Sequence, residues 1–146
     1  MVKLLWFIAC LATLPVLSCS SPQTIQNAEV PISVNLNGIK VGDLRVSDLA
    51  MLEQKSVMIN DVVKKGATLE AVIEHSGILS YMGITIVGFS NDHSEVSLEL
   101  TEIDFTSDII FPVYANKVGV FGLSIPFEYW DMEIADLFVV SCECGL

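Results

Sequence analysis

Arginine is nearly missing from this chain: Arg45 is the one copy in 146 residues. Seven basic residues face 18 acidic ones, for a formal net charge of −11. Lys3 is the one charge in the first 28 residues, so without that stretch six basic residues face 18 acidic ones, or −12. Such a surface repels phosphate backbones and does not attract anionic headgroups, which excludes nucleic acid as a partner. It also lacks the usual reader of oxyanions. No cysteine lies between Cys19 and Cys142. The four cysteines (Cys10, Cys19, Cys142 and Cys144) form no CxxC pair and do not have the spacing of a disulfide framework. P-loop, GxSxG, HExxH and GxGxxG motifs are absent. The apolar run at the start is shorter than the roughly 20 residues that a membrane-spanning helix needs.

What is present suits one folded domain. Hydrophobic residues make up 52% of the chain, and aromatic and β-branched residues are spread along it, which argues against disorder. Lys3, the apolar run LLWFIACLATL at 4–14, Pro15 and the small Ser18 have the layout of a secretory signal peptide. Val16-Leu17-Ser18-Cys19 resembles the lipobox of bacterial lipoproteins. That resemblance implies that Cys19 becomes the new N-terminus and carries acyl chains; stable anchoring needs more than one chain. The alternative is an ordinary signal peptide cleaved nearby, with Cys19 an incidental thiol. Residues 20–29, SSPQTIQNAE, are polar and aperiodic, as a tether would be. Ser20 stands where an Asp would resemble an inner-membrane retention signal, which favours the outer membrane in a Gram-negative host. The expected division is a signal peptide at 1–18, a lipidated tether at 19–29 and an α+β domain at 30–146. That domain would sit in the bacterial cell envelope, outside the cytoplasm and anchored to the membrane through Cys19.

Periodicity supplies the elements of the domain. VPISVNL at 30–36 alternates as a strand does, and Asn37-Gly38 before Ile39-Lys40-Val41 is a strong hairpin signal. Ser47 is a candidate N-cap for a short helix over DLAMLEQ. SVMINDVV at 56–63 reads as one extended segment, with a turn at Lys64-Lys65-Gly66. Thr68 is placed to cap LEAVIEHSG, in which Leu69, Val72 and Ile73 share a face and Gly77 suits C′. ITIVGF at 84–89 and EVSLEL at 95–100 flank the turn SNDHS, with Val96, Leu98 and Leu100 pointing inward. Segments 109–114, 118–125 and 135–141 read as further strands. The sum is about seven strands and two short helices, a mixed-sheet α+β domain.

The order of these motifs resembles the molybdopterin-binding domain of the sulfite oxidase superfamily. A strand and glycine are followed by VSDLAML, then by Gly66-Ala67-Thr68-Leu69 through Ser76-Gly77-Ile78. The hairpin spanning Ile84 to Leu100 and Gly122-Leu123-Ser124-Ile125-Pro126 complete the pattern over residues 32–141. The resemblance implies that fold and a molybdopterin cofactor with a cysteine-bound metal. The chain departs from the pattern at the chemistry. It has no cysteine in the region, Asn91-Asp92-His93 replaces an Asp-Gly-Tyr, and Ser124 replaces an arginine. A cofactor phosphate and an oxyanion substrate both need cationic partners, which are scarce here.

Several residue groups invite a site, each beside a plainer role. Cys142 and Cys144 could ligate a soft metal, but zinc wants about four ligands; an oxidised pair or a frayed terminus are the other readings. His75 suits the C-terminal dipole of the second helix. His93 lies in a turn, and a metal pair of His75 and His93 with Asp92 is not demanded by spacing. Asp92, Glu95, Glu99, Glu102, Asp104 and Asp108 lack the glycine-bearing loop of a calcium site. Phe127, Tyr129 and Trp130 either plug the core or grip a ligand. No catalytic or metal residue is assigned, and no cofactor is expected beyond the pterin that the resemblance implies. The expected function is a lipid-anchored module that binds an envelope protein or a small ligand. The alternative is a molybdopterin-dependent oxidoreductase domain working with a partner chain.

Overall fold

A computed structural model describes residues 30–142. The signal peptide, Cys10, Cys19, the tether and Cys144 lie outside these residues. The chain is an α+β domain of two sheets and two short helices. Its elements are β1 (Ile32–Leu36), β2 (Ile39–Leu44), α1 (Val46–Met51), β3 (Gln54–Ile59), β4 (Val62–Thr68) and α2 (Leu69–His75). They continue with β5 (Gly83–Phe89), β6 (Glu95–Thr101), β7 (Ile110–Tyr114), β8 (Lys117–Val118) and β9 (Glu133–Val140). One sheet runs β2-β1-β9-β5-β6 and the other β3-β4-β7-β8. All pairings are antiparallel except β1 with β9, which brings the two ends of the domain side by side.

Alternation places one face of each strand in the core. Val34, Leu137, Ile86 and Leu98 form one rung across four strands, and Leu36, Val139, Ile84 and Leu100 form the next. All but Leu36 are buried, and each fully buried aliphatic side chain contributes about 1.5–3 kcal/mol. Helix α2 adds Leu69, Val72 and Ile73, as its spacing predicts, and Ile109, Ile110, Phe111 and Phe121 complete one cluster. Residues 30–142 thus carry two sheets around a hydrophobic core of their own.

Helix α2 follows its sequence signals closely. The Ala71 amide donates to Thr68 Oγ1 at 3.2 Å. At the other end Gly77 has φ +81°, its amide donates to the Glu74 carbonyl at 2.9 Å, and the Ile78 amide donates to Ile73 at 3.2 Å. This is a Schellman ending, with Ile78 and Ile73 both buried.

Three expectations change. The first helix begins at Val46, with Arg45 rather than Ser47 at the N-cap. Its cap is the Asp48 carboxylate, which accepts from the Arg45 amide at 2.8 Å. The segment at 56–63 is not one strand: Asn60 and Asp61, at φ +50° and +67°, turn the chain between β3 and β4. Lys64-Lys65-Gly66 is therefore strand. The stretch 118–125 is strand only at Val118, where β8 ends. Phe121 bridges Ile110, and the chain then curls, held by Asp108 and Asp104. The Leu123 amide donates to Asp108 Oδ2 at 2.9 Å and Ser124 Oγ to the Asp104 carbonyl at 2.7 Å.

Candidate functional site

The sequence-marked residues are spread over the surface and serve mostly in turns. Asp92 holds the β5–β6 loop: its Oδ1 accepts from Ser90 Oγ, from the Ser94 amide at 3.1 Å and from Ser94 Oγ at 2.6 Å. The two serine hydroxyls, then the Ser94 amide, hold its carboxyl down at about 2. His93 is exposed at φ +66°, and His75 is exposed in the last turn of α2. Among the described residues no group of three His, Cys, Asp or Glu side chains could hold a metal ion, so His75, His93 and Asp92 form no such set.

The acidic stretch divides by role. Glu95 and Glu99 are exposed along β6, and Glu102 is exposed beyond it. Asp104 Oδ2 accepts from the Thr101 amide at 2.8 Å and caps a 3₁₀ turn. Burial works against the charge of Asp108. The Thr106 hydroxyl, the Leu123 amide and the charge of Lys55 outweigh it and hold the carboxyl below its usual range. The aromatic cluster also divides. Trp130 is buried, its Nε1 donates to the Ile125 carbonyl at 2.9 Å, and its ring meets Phe121 edge-on at 4.6 Å. Phe127 is 75% exposed. Cys142 is exposed near the end of the described chain.

Among the described residues, carboxylates border four of five surface clefts compared. One of about 600 Å³ lies between the start of β9 and the β7–β8 turn. Its one ammonium, on Lys117, already pairs with Glu133 at 3.7 Å. The exception is a groove of about 350 Å³ between α1 and the sheet formed by β4 and β7. Leu49, Ala67 and Phe111 form its buried floor, and Val46, Ala50 and Val113 form its walls. Lys65 is its only charged residue.

Strand register explains this groove. Residues paired across antiparallel strands share a face, as do residues two apart. Met58 with Val63, Ser56 with Lys65, and Gln54 with Ala67 and Phe111 therefore line one face of the sheet. Helix α1 covers one end of that face through Leu49. Met58 and Val63, 68% and 62% exposed, continue it beyond the helix. The face opposite carries Lys64, whose Nζ sits 5.2 Å from the rings of both Tyr114 and Phe121. Lys65 takes part in neither ion pair found among the described residues. Gln54 is occupied: its Nε2 donates to the Leu49 and Leu52 carbonyls at 2.8 and 3.1 Å, closing the end of α1. The floor needs Gly66, where a Cβ would stand 2.5 Å from the Phe111 carbonyl.

Reading Lys64-Lys65-Gly66 as a turn hid this groove. Period-two alternation continued through VVKKGAT would have put Val63, Lys65 and Ala67 on one face. No protein family matches the chain, and no curated protein matches it.

Proposed function

We propose that the chain is a membrane-anchored bacterial lipoprotein whose domain acts as a binding module of the cell envelope, with the groove beneath α1 as its site. One observation carries the choice of site: this groove is the one cleft of the five with no carboxylate, in a chain of net charge −11. Apolar floors with few polar groups are what small-ligand sites use, and its volume lies at the lower end of their range. The lipobox-like Val16-Leu17-Ser18-Cys19 supports the anchor.

The likeness to the sulfite oxidase-type molybdopterin-binding domain belongs to the same proposal at the level of fold. The order of motifs supports it. The donor set does not fit the cofactor: among the described residues Cys142 is the one cysteine, near the chain end, and Arg45 is exposed at the start of α1.

The groove is tested by titrating residues 30–146 with decanol and following the methyl NMR signals of Ala50, Ala67 and Val113. Saturable shifts at these methyls, abolished by Ala50→Trp, are the expected outcome. Shifts confined to other clefts would move the site. For the anchor, intact mass of the membrane-extracted protein should show acyl mass on Cys19. A product cleaved elsewhere and indifferent to Cys19→Ala would remove the lipoprotein part. Elemental analysis and pterin fluorescence, after expression in a molybdenum-replete host, should find neither at stoichiometric level.

A further inference from the structure

We infer that the groove beneath α1 takes an anionic amphiphile, its apolar tail on Leu49, Ala67 and Phe111 and its anionic head against the Lys65 ammonium. This rests on the groove being the binding site, as proposed above, and adds the chemical class of the ligand.

Lys65 is exposed, unlike the floor beside it, and lines the groove. Its ammonium is strongly hydrated and bound to no carboxylate among the described residues, so a ligand anion would not have to displace an existing partner. The groove's other polar side chain, Gln54, spends its amide donors on the carbonyls of Leu49 in α1 and of Leu52 just past it. The position of the charge therefore falls to Lys65. A neutral apolar ligand would fill the floor and leave the ammonium beside it unused. A cationic one would meet it as a like charge. On the other side of the polar Ser56–Lys65 rung, away from the floor, the same face carries the exposed Met58–Val63 pair.

The remaining charge of the protein opposes any anion at long range. At about 0.15 M salt the screening length is about 8 Å, which suppresses that field and leaves the contact with Lys65. The other lysines among the described residues are engaged elsewhere: Lys40 pairs with Asp43 at 2.8 Å, Lys117 pairs with Glu133, Lys55 donates to the Ser107 carbonyl at 2.8 Å, and Lys64 lies over the Tyr114 and Phe121 rings on the opposite face.

The test compares decanoate with decanol, two ligands with the same tail, on residues 30–146 at about 0.15 M salt and below micelle formation. Calorimetry should show decanoate binding roughly two- to five-fold tighter, the advantage of one solvent-exposed ion pair. Lys65→Ala should remove that advantage and leave decanol unchanged, and Lys65→Glu should reverse the preference. Circular dichroism checks that each variant is folded. Equal binding of the two ligands, both blocked by Ala50→Trp, would overturn the anionic class and leave the groove as the site. Binding indifferent to Ala50→Trp, or no binding of either ligand, would overturn the groove itself. Binding seen only when anionic vesicles replace the monomeric ligand would reassign the surface to a membrane and overturn the inference.

Discussion

Gly66→Ala is the sharpest probe of how β4 meets β7. The new methyl carbon would lie 2.5 Å from the carbonyl carbon and oxygen of Phe111 and 2.7 Å from the Pro112 nitrogen. Carbon contacts are favourable at about 3.5–4.0 Å, so the strands must part by about 1 Å. The opposing atoms are backbone and cannot rotate away. They are fixed by the pairing of Ala67 with Phe111 and Thr68 with Ile110, and by the Gly119 amide, which donates to the Pro112 carbonyl at 2.8 Å. Overpacking of this kind costs about 1–3 kcal/mol. Removing a glycine from the unfolded chain returns about 0.4–1 kcal/mol. The net loss should be about 1–2 kcal/mol, a fall in Tm on the order of 5–10 °C for a domain of this size. Thermal unfolding followed by circular dichroism measures it. Gly42→Ala is the control, since nothing lies within 4 Å of its added Cβ. It should leave Tm unchanged or raise it slightly. A Gly66→Ala protein as stable as the parent, or an equal loss in both variants, would refute the close-approach reasoning.

Other positions give independent checks. Ala115 sits at φ +48° in the β7–β8 turn, a conformation costing an L-residue about 1–2 kcal/mol, so Ala115→Gly should raise stability by up to about 1 kcal/mol in denaturant unfolding. Asp92 is lowered from 3.8 to about 2, so its contribution to stability is complete above the unfolded value and lost as pH falls through about 2. Carboxyl NMR titration should find that low value, and Ser94→Ala should move it up towards the ordinary range. Trp130→Phe keeps the edge-on ring contact but strands the Ile125 carbonyl, and chemical denaturation should show a loss of about 1–3 kcal/mol.

Much of the local structure was legible because its causes lie within a few residues of each other. Asn37-Gly38 and the alternation around it announce the β1–β2 hairpin; the Asn60-Asp61 turn carries the same kind of signal in weaker form, and Lys64-Lys65-Gly66, with its glycine, imitates a turn more closely. Ser47 misled because any Ser before a helix looks like a cap, whereas the cap here comes from Asp48 inside the first turn. Segment 118–125 misled because an apolar run buried by curling, such as Val118, Val120, Phe121 and Ile125, has the same composition as a buried strand. The aromatic cluster could not be divided from sequence, since only the fold puts Trp130 under Phe121 and leaves Phe127 outside.

The sequence by itself determined the α+β class, the two helical segments, helix α2 from Thr68 to Gly77 and the inward face of β6. Those follow from residue periods and caps, which act over one or two turns of chain. Only the tertiary structure decided that β1 pairs in parallel with β9, and that residues 46–50, 65–67 and 111–113 enclose one groove. Strand partners and the face that a helix covers are settled by contacts far apart in sequence, where local periodicity is the same for every alternative register. Lys65 became a candidate ligand contact for that reason: its neighbours in the chain mark it as one lysine of a pair, and its neighbours in space leave it the one charge in an apolar groove.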